Sequence, residues 1–350
     1  MRGEKREQET ELGAELDRIL AVTDHHRPED PHADRHQEII AHSLATRCKE
    51  AASASAAILA PPASGSADDE GMTITTDTTT INPNQALWEK GDFTRLAATM
   101  RRSGEAIVAG LGVTDTMHVL DVGCGDGTTA VPSAQRGATV LGVDIARNLV
   151  SAGNARAEDL GLSNLSFEHG DASNLSGIDD DRFDLVVSVF GAMFAPRPFD
   201  VAKELVRVTK PGGRIVMGNW IPGDPTLVAQ ILKISAAYSP APPEGFISPV
   251  TWGVAANVIE RFGAADVPAT SITCEPQTYT FEFSGQPADF LSVFRDFYGP
   301  TMNAYAAAAA NGREADLHAE LSGLFHAQNT AGVNGMTTIP ATYLKVTVHV

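Results

Sequence analysis

The sequence predicts an α/β fold built on a doubly wound, mostly parallel sheet with helices on both faces. The apolar run at 119–122 leads into a glycine-rich turn, and similar apolar runs recur at 138–144 and 183–190. Continuous apolar strands that alternate with helical segments are typical of a parallel sheet covered on both faces. The length of 350 residues suits one large domain or two smaller ones.

The composition limits the partners that the protein can bind. The net charge is −18 and the pI is about 4.9. Because binding to phosphate groups needs clustered Lys and Arg, the charge disfavours nucleic acid and anionic lipid as partners. It favours a soluble enzyme that acts on a small molecule.

No membrane span is predicted, because no run of about 18 apolar residues occurs. The first residues also lack the apolar core of a secretory signal. Three widely separated cysteines predict neither a disulfide framework nor a zinc site. We therefore expect a reduced, cytoplasmic protein, and the sequence leaves its oligomeric state open.

Residues 1–80 differ from the rest of the chain and are expected to form a disordered extension. They hold 16 acidic and 8 basic residues, followed by a Pro-, Ser- and Thr-rich stretch that buries little apolar surface. His32 and His36 have the spacing of a helical metal pair, but the prolines nearby and the lack of a local cysteine argue against a metal. Translation that begins at Met72 is a further hypothesis.

Residues 81–350 are predicted to form the folded domain, with a core at 115–220. Asp92 caps a predicted helix that extends to Gly110. Trp88 lies shortly before this helix in the sequence. Further helices are predicted near 226–237 and 249–262, strands near 270–274 and 279–283, several helical pieces within 287–328, and a final strand at 342–350.

The glycine-rich turn after the first strand decides between two kinds of ligand. A dinucleotide-binding turn needs three glycines in the order G-x-G-x-x-G, whereas here Gly127 comes one residue early and Thr128 takes the third position. Asp121 ends the strand two residues before Gly123. Its carboxylate would repel a pyrophosphate by roughly 4 kcal/mol at 4 Å. The turn therefore favours a positively charged nucleoside.

Four later segments follow the turn in a regular order. Asp144 ends the second apolar strand about 20 residues after the glycines, where a carboxylate can hold ribose hydroxyls. Residues 165–169 alternate as a strand does, and Asp171 follows a glycine. The run at 183–190 is a candidate central strand, and 210–220 reads as a Pro-Gly-Gly turn followed by another strand.

Taken together, these five segments resemble the motifs of the class I S-adenosylmethionine (SAM)-dependent methyltransferases. The resemblance covers residues 82–350 and is sharpest from 119 to 220. Residues 203–220 are similar to the ubiquinone and menaquinone biosynthesis C-methyltransferases. The resemblance implies a Rossmann-like, seven-stranded sheet whose last strand is inserted antiparallel. It also implies a helical insertion before that strand, which would act as a substrate lid within the C-terminal part at 221–350.

SAM is the cofactor that the resemblance implies. The loop residues are assigned to its methionine end, Asp144 to the ribose, and Asp171 with the Ala172 amide to the adenine. Trp88 and Phe93 are candidate walls of the same pocket. The full set of cofactor-binding residues implied is Asp121, Gly123, Cys124, Gly125, Asp144, Ile145, Asp171, Ala172 and Ser188.

Methyl transfer from a sulfonium is an in-line displacement that depends mainly on positioning. It needs no covalent nucleophile and no metal from the protein. The predicted acceptor is a small, partly apolar molecule that is methylated on O, C or N. His169, His318 and His326 are candidate bases, although structural or surface roles explain them as well. The alternative functions are a non-catalytic sensor of SAM or its demethylated product and, less favoured by the loop, a nucleotide-dependent oxidoreductase.

Overall fold

The structure is a computed structural model and describes residues 85–350. The predicted disordered extension at 1–80, the histidine pair and Met72 lie outside the described residues. Within 85–350 there are seven strands, and all of them belong to one sheet: β1 (His118–Val122), β2 (Thr139–Asp144), β3 (Leu165–His169), β4 (Phe183–Val189), β5 (Thr209–Trp220), β6 (Ile272–Phe283) and β7 (Thr337–His349).

The strand order is β3-β2-β1-β4-β5-β7-β6. Strands β1 to β5 are mutually parallel, whereas β7 lies antiparallel between β5 and β6. The prediction of a seven-stranded, mostly parallel sheet with an antiparallel last strand is therefore confirmed. Since β1 to β5 point the same way, the segments that follow β1, β2 and β4 meet at one edge of the sheet.

Helices cover both faces of the sheet, and no helix in the described part is long and apolar enough to cross a membrane. They are α1 (Gln85–Glu89), α2 (Phe93–Ala97), α3 (Arg101–Ala109), α4 (Ala130–Gln135), α5 (Arg147–Asp159), α6 (Pro198–Val208), α7 (Leu227–Tyr238), α8 (Ala255–Gly263), α9 (Pro287–Phe297), α10 (Gly299–Ala310) and α11 (Glu314–Gln328). The last three form the predicted helical insertion before the final strand.

Alternation along the strands divides the core into two apolar clusters. Leu120 of β1 belongs to the cluster that includes Leu205 of α6. Its neighbour Val119 and Leu185 of β4 belong to the other cluster, with Val131 of α4. Successive side chains of a strand point to opposite faces, so the central strands are buried on both sides, as their continuous apolar sequence predicts.

Two local predictions were wrong in detail. The single helix expected from Asp92 to Gly110 is instead α2, a 3₁₀ turn at Ala98–Met100, and α3. The two short strands expected near 270–274 and 279–283 are one continuous strand, β6. Pro276 lies within β6, which among the described residues is the outermost strand and pairs with β7 alone. A proline is tolerated on an edge strand because its missing N–H can face away from the ladder.

Candidate active site

One cavity opens at the edge where β1, β2 and β4 end, and it contains about 1150 Å³ of empty space, part of it open to solvent. Ligand sites are typically concave and mostly apolar with a few polar groups, and the lining of this cavity has that character. We call its two sides the loop half and the aromatic half. The loop half is formed by Gly123, Gly125, Asp126, Asp144, Ile145 and Ala172, and the aromatic half by Trp88, Phe93, Phe190, Trp220, Tyr279 and Tyr298.

The glycine turn of the loop half is fixed to its neighbours by its backbone. The Gly123 amide donates to the Val143 carbonyl at 2.7 Å. Gly123 has φ of 69°, and a β-carbon there would lie 2.6 Å from the Cα of Gly191. Both the left-handed conformation and the close approach require glycine. Cys124 follows in the same turn and lines the cavity, and burial raises the pKa of its thiol.

Asp144 lies at the carboxyl end of β2 and lines the cavity. Its carboxylate accepts hydrogen bonds from the Gly125 amide at 2.8 Å and from the Ala146 amide at 2.9 Å. Desolvation raises the pKa of this carboxyl, which is 7% exposed. The side chain thus connects the glycine turn to the start of α5 and presents a polar group beside Ile145 in the cavity wall.

Asp121 lies beneath the glycine turn rather than in the cavity wall. It is 1% exposed, and its carboxylate accepts a hydrogen bond from the Thr129 hydroxyl. Burial raises the pKa of this carboxyl to about 7. The contact with SAM that the resemblance implies for Asp121 stays a prediction. In the structure the side chain points toward Thr129 at the start of the following helix and does not line the cavity.

A different carboxylate of the loop, that of Asp126, lines the cavity. One of its oxygens pairs with Arg101, while the other, Oδ1, is buried and has no hydrogen-bond partner within residues 85–350. Arg101 also donates to the Thr128 hydroxyl at 2.9 Å. Sequence reasoning missed Asp126, although it is the ionisable residue that separates Gly125 from Gly127.

Two other expected cofactor residues stand behind the wall. The Ser188 hydroxyl donates to the Val122 carbonyl at 2.6 Å and accepts from the Ala192 amide at 2.9 Å, so it ties β1 to the segment after β4. Asp171 accepts from the amide and the hydroxyl of Ser173, both at 2.8 Å. Its neighbour Ala172 lines the cavity. The direct role expected of Asp171 and Ser188 is not tested by these contacts.

One residue of the aromatic half, Phe190, has a strained backbone conformation. Phe190 follows β4 and has φ of 61°, which is rare for a bulky side chain and marks local strain. Its ring stacks on Trp220, with centroids 3.6 Å apart and planes 9° apart. Tyr279 meets the Phe190 ring edge-on at 5.0 Å, and its hydroxyl donates to the Met100 carbonyl at 2.7 Å. The strained backbone thus places a flat aromatic pair in the wall.

A second aromatic group joins the N-terminal helices to the helical insertion. Trp88 packs against Phe93 at 5.8 Å, against Phe194 at 4.9 Å and against Tyr298 at 5.9 Å, measured between ring centroids. Trp88 and Phe93 line the cavity, as the sequence predicted. Phe294 and Tyr298 of the helical insertion also line it.

The three candidate histidine bases do not line the cavity. His169 is exposed at the end of β3. His318 is hydrogen-bonded through Nδ1 to the Tyr305 hydroxyl at 2.9 Å. His326 is exposed, and its Nδ1 lies 2.8 Å from the Ser322 carbonyl oxygen. Within residues 85–350, no three His, Cys, Asp or Glu side chains group as a metal site would require.

Comparison with known proteins gives concordant matches. A family model described as a methyltransferase domain matches residues 120–217. An uncharacterized protein of Mycobacterium tuberculosis is 33% identical over 240 residues, which are 67% of this chain and 85% of that protein. The demethylmenaquinone methyltransferase of Bacillus subtilis is 38% identical over 109 residues, 30% of this chain and 46% of that enzyme. The crystal structure of the YcgJ protein from Bacillus subtilis aligns with a TM-score of 0.46 at 19% identity, covering 70% of this chain and 97% of that one.

Proposed function

The chain belongs to the class I SAM-dependent methyltransferases, and from that premise we propose that it methylates a small, partly apolar acceptor on O, C or N. The observation that carries the proposal is the single cavity in which the loop half adjoins the aromatic half. The loop half suits the polar nucleoside, and the aromatic half suits the acceptor.

The residues of the loop half fit SAM. Asp144 would bind the ribose hydroxyls, because its carboxylate reaches the cavity and is held in place by two backbone amides. Asp126 would bind the ammonium of the methionine end through Oδ1, which has no partner within the described residues. Ile145 and Ala172 would contact the adenine. An unpaired buried carboxylate oxygen is costly, so a cationic ligand group at this point stabilises the site.

We assign supporting roles to Asp121 and Ser188, and a direct contact with the adenine to Asp171. Asp121 supports the turn from below through Thr129. Ser188 holds the segment after β4 against β1. Asp171 has one oxygen engaged by Ser173, and we retain the other as the acceptor for the adenine amino group. These assignments explain why polar residues occupy buried positions at this edge of the sheet.

SAM supplies a methyl group already activated on a sulfonium. A bond forms between the acceptor atom and the methyl carbon, the carbon–sulfur bond breaks, and its electron pair stays on sulfur; a proton displaced from the acceptor atom goes to solvent. The protein's part is to hold the acceptor in line and to exclude water. Such positioning can contribute roughly 7–11 kcal/mol to lowering the barrier, and the enclosed aromatic half is suited to that task.

Calorimetric titration with S-adenosylhomocysteine (SAH) tests the cofactor assignment. We expect Asp144→Ala to weaken SAH binding by at least about tenfold, since hydrogen bonds to a charged group contribute roughly 1.5–3 kcal/mol. Asp184→Ala is the matched control. Asp184 also accepts from a backbone amide, that of His118 at 2.8 Å, but it lies at the opposite edge of the sheet.

Unchanged SAH affinity in a folded Asp144→Ala protein would remove Asp144 from the ribose role. Absence of SAH binding to the unsubstituted protein would overturn the proposed function itself. Incubation with methyl-labelled SAM and a panel of small hydroxylated, carbon-acidic and amine compounds then identifies the acceptor atom.

A further inference from the structure

The aromatic half of the cavity contains an unpaired tyrosine hydroxyl, that of Tyr298. The residue is 5% exposed and lines the cavity, and its hydroxyl forms no hydrogen bond within residues 85–350. The other four of the chain's five tyrosines each form a hydrogen bond through the hydroxyl: Tyr238, Tyr279, Tyr305 and Tyr343. Because Tyr298 lines the cavity, its unpaired hydroxyl is available to hydrogen-bond a ligand there.

The backbone around Tyr298 packs closely against the N-terminal helices. Tyr298 joins α9 to α10, and its amide donates to the Phe294 carbonyl at 3.1 Å. A β-carbon on Gly299 would lie 2.5 Å from the Leu87 carbonyl oxygen, and one on Gly91 would lie 2.5 Å from the Phe297 carbonyl oxygen. These close approaches pack the α9–α10 junction, and with it the backbone of Tyr298, directly against the N-terminal helices.

Charge is absent from this half. The charged side chains that line the cavity are Asp126 and Asp144, and both belong to the loop half. No lysine or arginine from the described residues lines the cavity. A carboxylate or phosphate on the acceptor would be buried here without a counter-ion, which costs several kcal/mol per ion. An ammonium on the acceptor would likewise be buried in this half without a counter-ion from the described residues, at a similar cost.

The walls present flat aromatic surfaces. Nine aromatic residues line the cavity, out of 14 Phe, three Trp and five Tyr in the whole chain. The stacked pair of Phe190 and Trp220 lies in one wall, and Trp88, Phe93 and Tyr298 form another. Aromatic rings pack best against other flat, apolar molecules in offset-stacked or edge-on contact.

We propose that the acceptor is an uncharged, flat, largely apolar molecule with one hydrogen-bonding oxygen or nitrogen, and that this atom pairs with the Tyr298 hydroxyl. This inference rests on the proposed function, because it names what the aromatic half takes. Tyr298 is a binding and specificity-determining residue. It orients the acceptor by its single polar atom while the rings of the cavity wall hold the rest.

The test uses three probes that share one aromatic frame, each titrated calorimetrically into the full-length protein saturated with SAH. The probes are 2-naphthol, 2-methylnaphthalene and the anion 2-naphthoate. In Tyr298→Phe we expect 2-naphthol to bind about tenfold more weakly, as loss of one hydrogen bond implies, and 2-methylnaphthalene to bind within about twofold of its original affinity. Tyr305→Phe, which removes a hydroxyl from the same insertion outside the cavity, should leave both affinities unchanged. In the unsubstituted protein, 2-naphthoate should bind at least about 100-fold more weakly than 2-naphthol.

Three results would overturn the inference. An equal loss of 2-naphthol and 2-methylnaphthalene binding in Tyr298→Phe would mean that the ring, not the hydroxyl, matters. Binding of 2-naphthoate as tight as that of 2-naphthol would mean that the half tolerates charge. Failure of all three probes to bind while SAH binds would overturn the acceptor class and leave the proposed methyltransferase function standing. Failure of SAH to bind would overturn the proposed function.

Discussion

The two halves of the cavity are built in different ways. The loop half comes from short segments directly after β1, β2 and β3, and backbone amides and carbonyls fix its shape. The aromatic half comes from side chains of α1, α2, β5, β6 and the α9–α10 junction, which are up to about 200 residues apart in the chain. Backbone geometry therefore defines the cofactor side, and packing between distant elements defines the acceptor side.

This difference predicts how each half responds to substitution. Changes in the loop half alter a turn that is hydrogen-bonded to the sheet, so they should affect cofactor binding and stability together. Changes at the periphery of the aromatic half should alter the acceptor side alone, because these side chains come from elements that do not form the glycine turn. A substitution in either half that changed the other half's ligand equally would break the distinction.

The largest expected effect is that of Gly123→Ala. The new β-carbon meets Gly191 at 2.6 Å and occupies a position with φ of 69°. Left-handed backbone and overpacking together cost about 2–5 kcal/mol. We expect a loss of that size in the free energy of unfolding measured in urea, with SAH binding lost in parallel. Gly177→Ala, where a β-carbon meets nothing within 4 Å, is the control and should change neither quantity appreciably.

Asp121→Asn tests the buried carboxylate beneath the loop. The folded protein holds the pKa of Asp121 at about 7, above the ordinary value of 3.8. The folded state therefore binds more protons than the unfolded state between pH 4 and 7, and Asp121 makes stability fall as the pH rises through that window.

Asparagine does not titrate, so the Asp121→Asn variant lacks this fall in folding stability with rising pH. We expect the variant to gain stability relative to the original protein as the pH rises from 4 to 7, at a rate approaching about 1.4 kcal/mol per pH unit. Urea unfolding at several pH values measures the difference. A difference that is independent of pH would show that Asp121 has an ordinary pKa in the folded protein.

Ser188→Ala removes the hydroxyl that joins β1 to the segment after β4. The Val122 carbonyl and the Ala192 amide would both lose their hydrogen bonds to the side chain. A buried polar group left unpaired costs about 1–3 kcal/mol, so the free energy of unfolding should fall by that amount. Because Phe190 lies in the affected segment, 2-naphthol binding should weaken more than SAH binding. The reverse ranking would count against placing this segment in the acceptor side.

The smallest expected effect belongs to Lys90→Ala. Lys90 donates to the Asn303 side chain at 2.7 Å and so connects the segment after α1 to α10 at the surface. Exposed pairs of this kind contribute about 0.2–1 kcal/mol. We expect 2-naphthol affinity to fall less than about fivefold and SAH affinity to stay the same. A parallel fall in SAH affinity would show that the contact between Lys90 and Asn303 supports the loop half as well.

The sequence predicted the loop half better than the aromatic half for a physical reason. Gly123, Gly125 and Asp144 stand at strand ends, where local pattern alone fixes the backbone and the direction of the turn. The direction of the Asp121 side chain could not be predicted, because strand alternation alone does not show whether a side chain near the end of a strand points into the cavity or beneath the turn. Asp126 was missed because its free oxygen depends on the position of Arg101, which is contributed by a different helix.

The aromatic half was predictable only in part. The resemblance implied a helical insertion before the last strand, but the selection of Tyr298 and Phe294 as lining residues depends on how α9 packs against α2 and β6. Phe190 carried no signal at all, since nothing local predicts a positive φ at a phenylalanine. Packing between elements far apart in the sequence determines which of these side chains line the cavity, and a short window of sequence carries no information about that packing.

The most direct test of the whole account is a crystal structure of the protein with SAH and 2-naphthol bound. We predict the methionine end beside Asp126, the ribose on Asp144, the sulfur directed toward the aromatic half, and the naphthol oxygen within hydrogen-bonding distance of Tyr298. SAH bound with its sulfur facing away from the aromatic half, or naphthol bound outside the cavity, would contradict the division of the site into a cofactor side and an acceptor side.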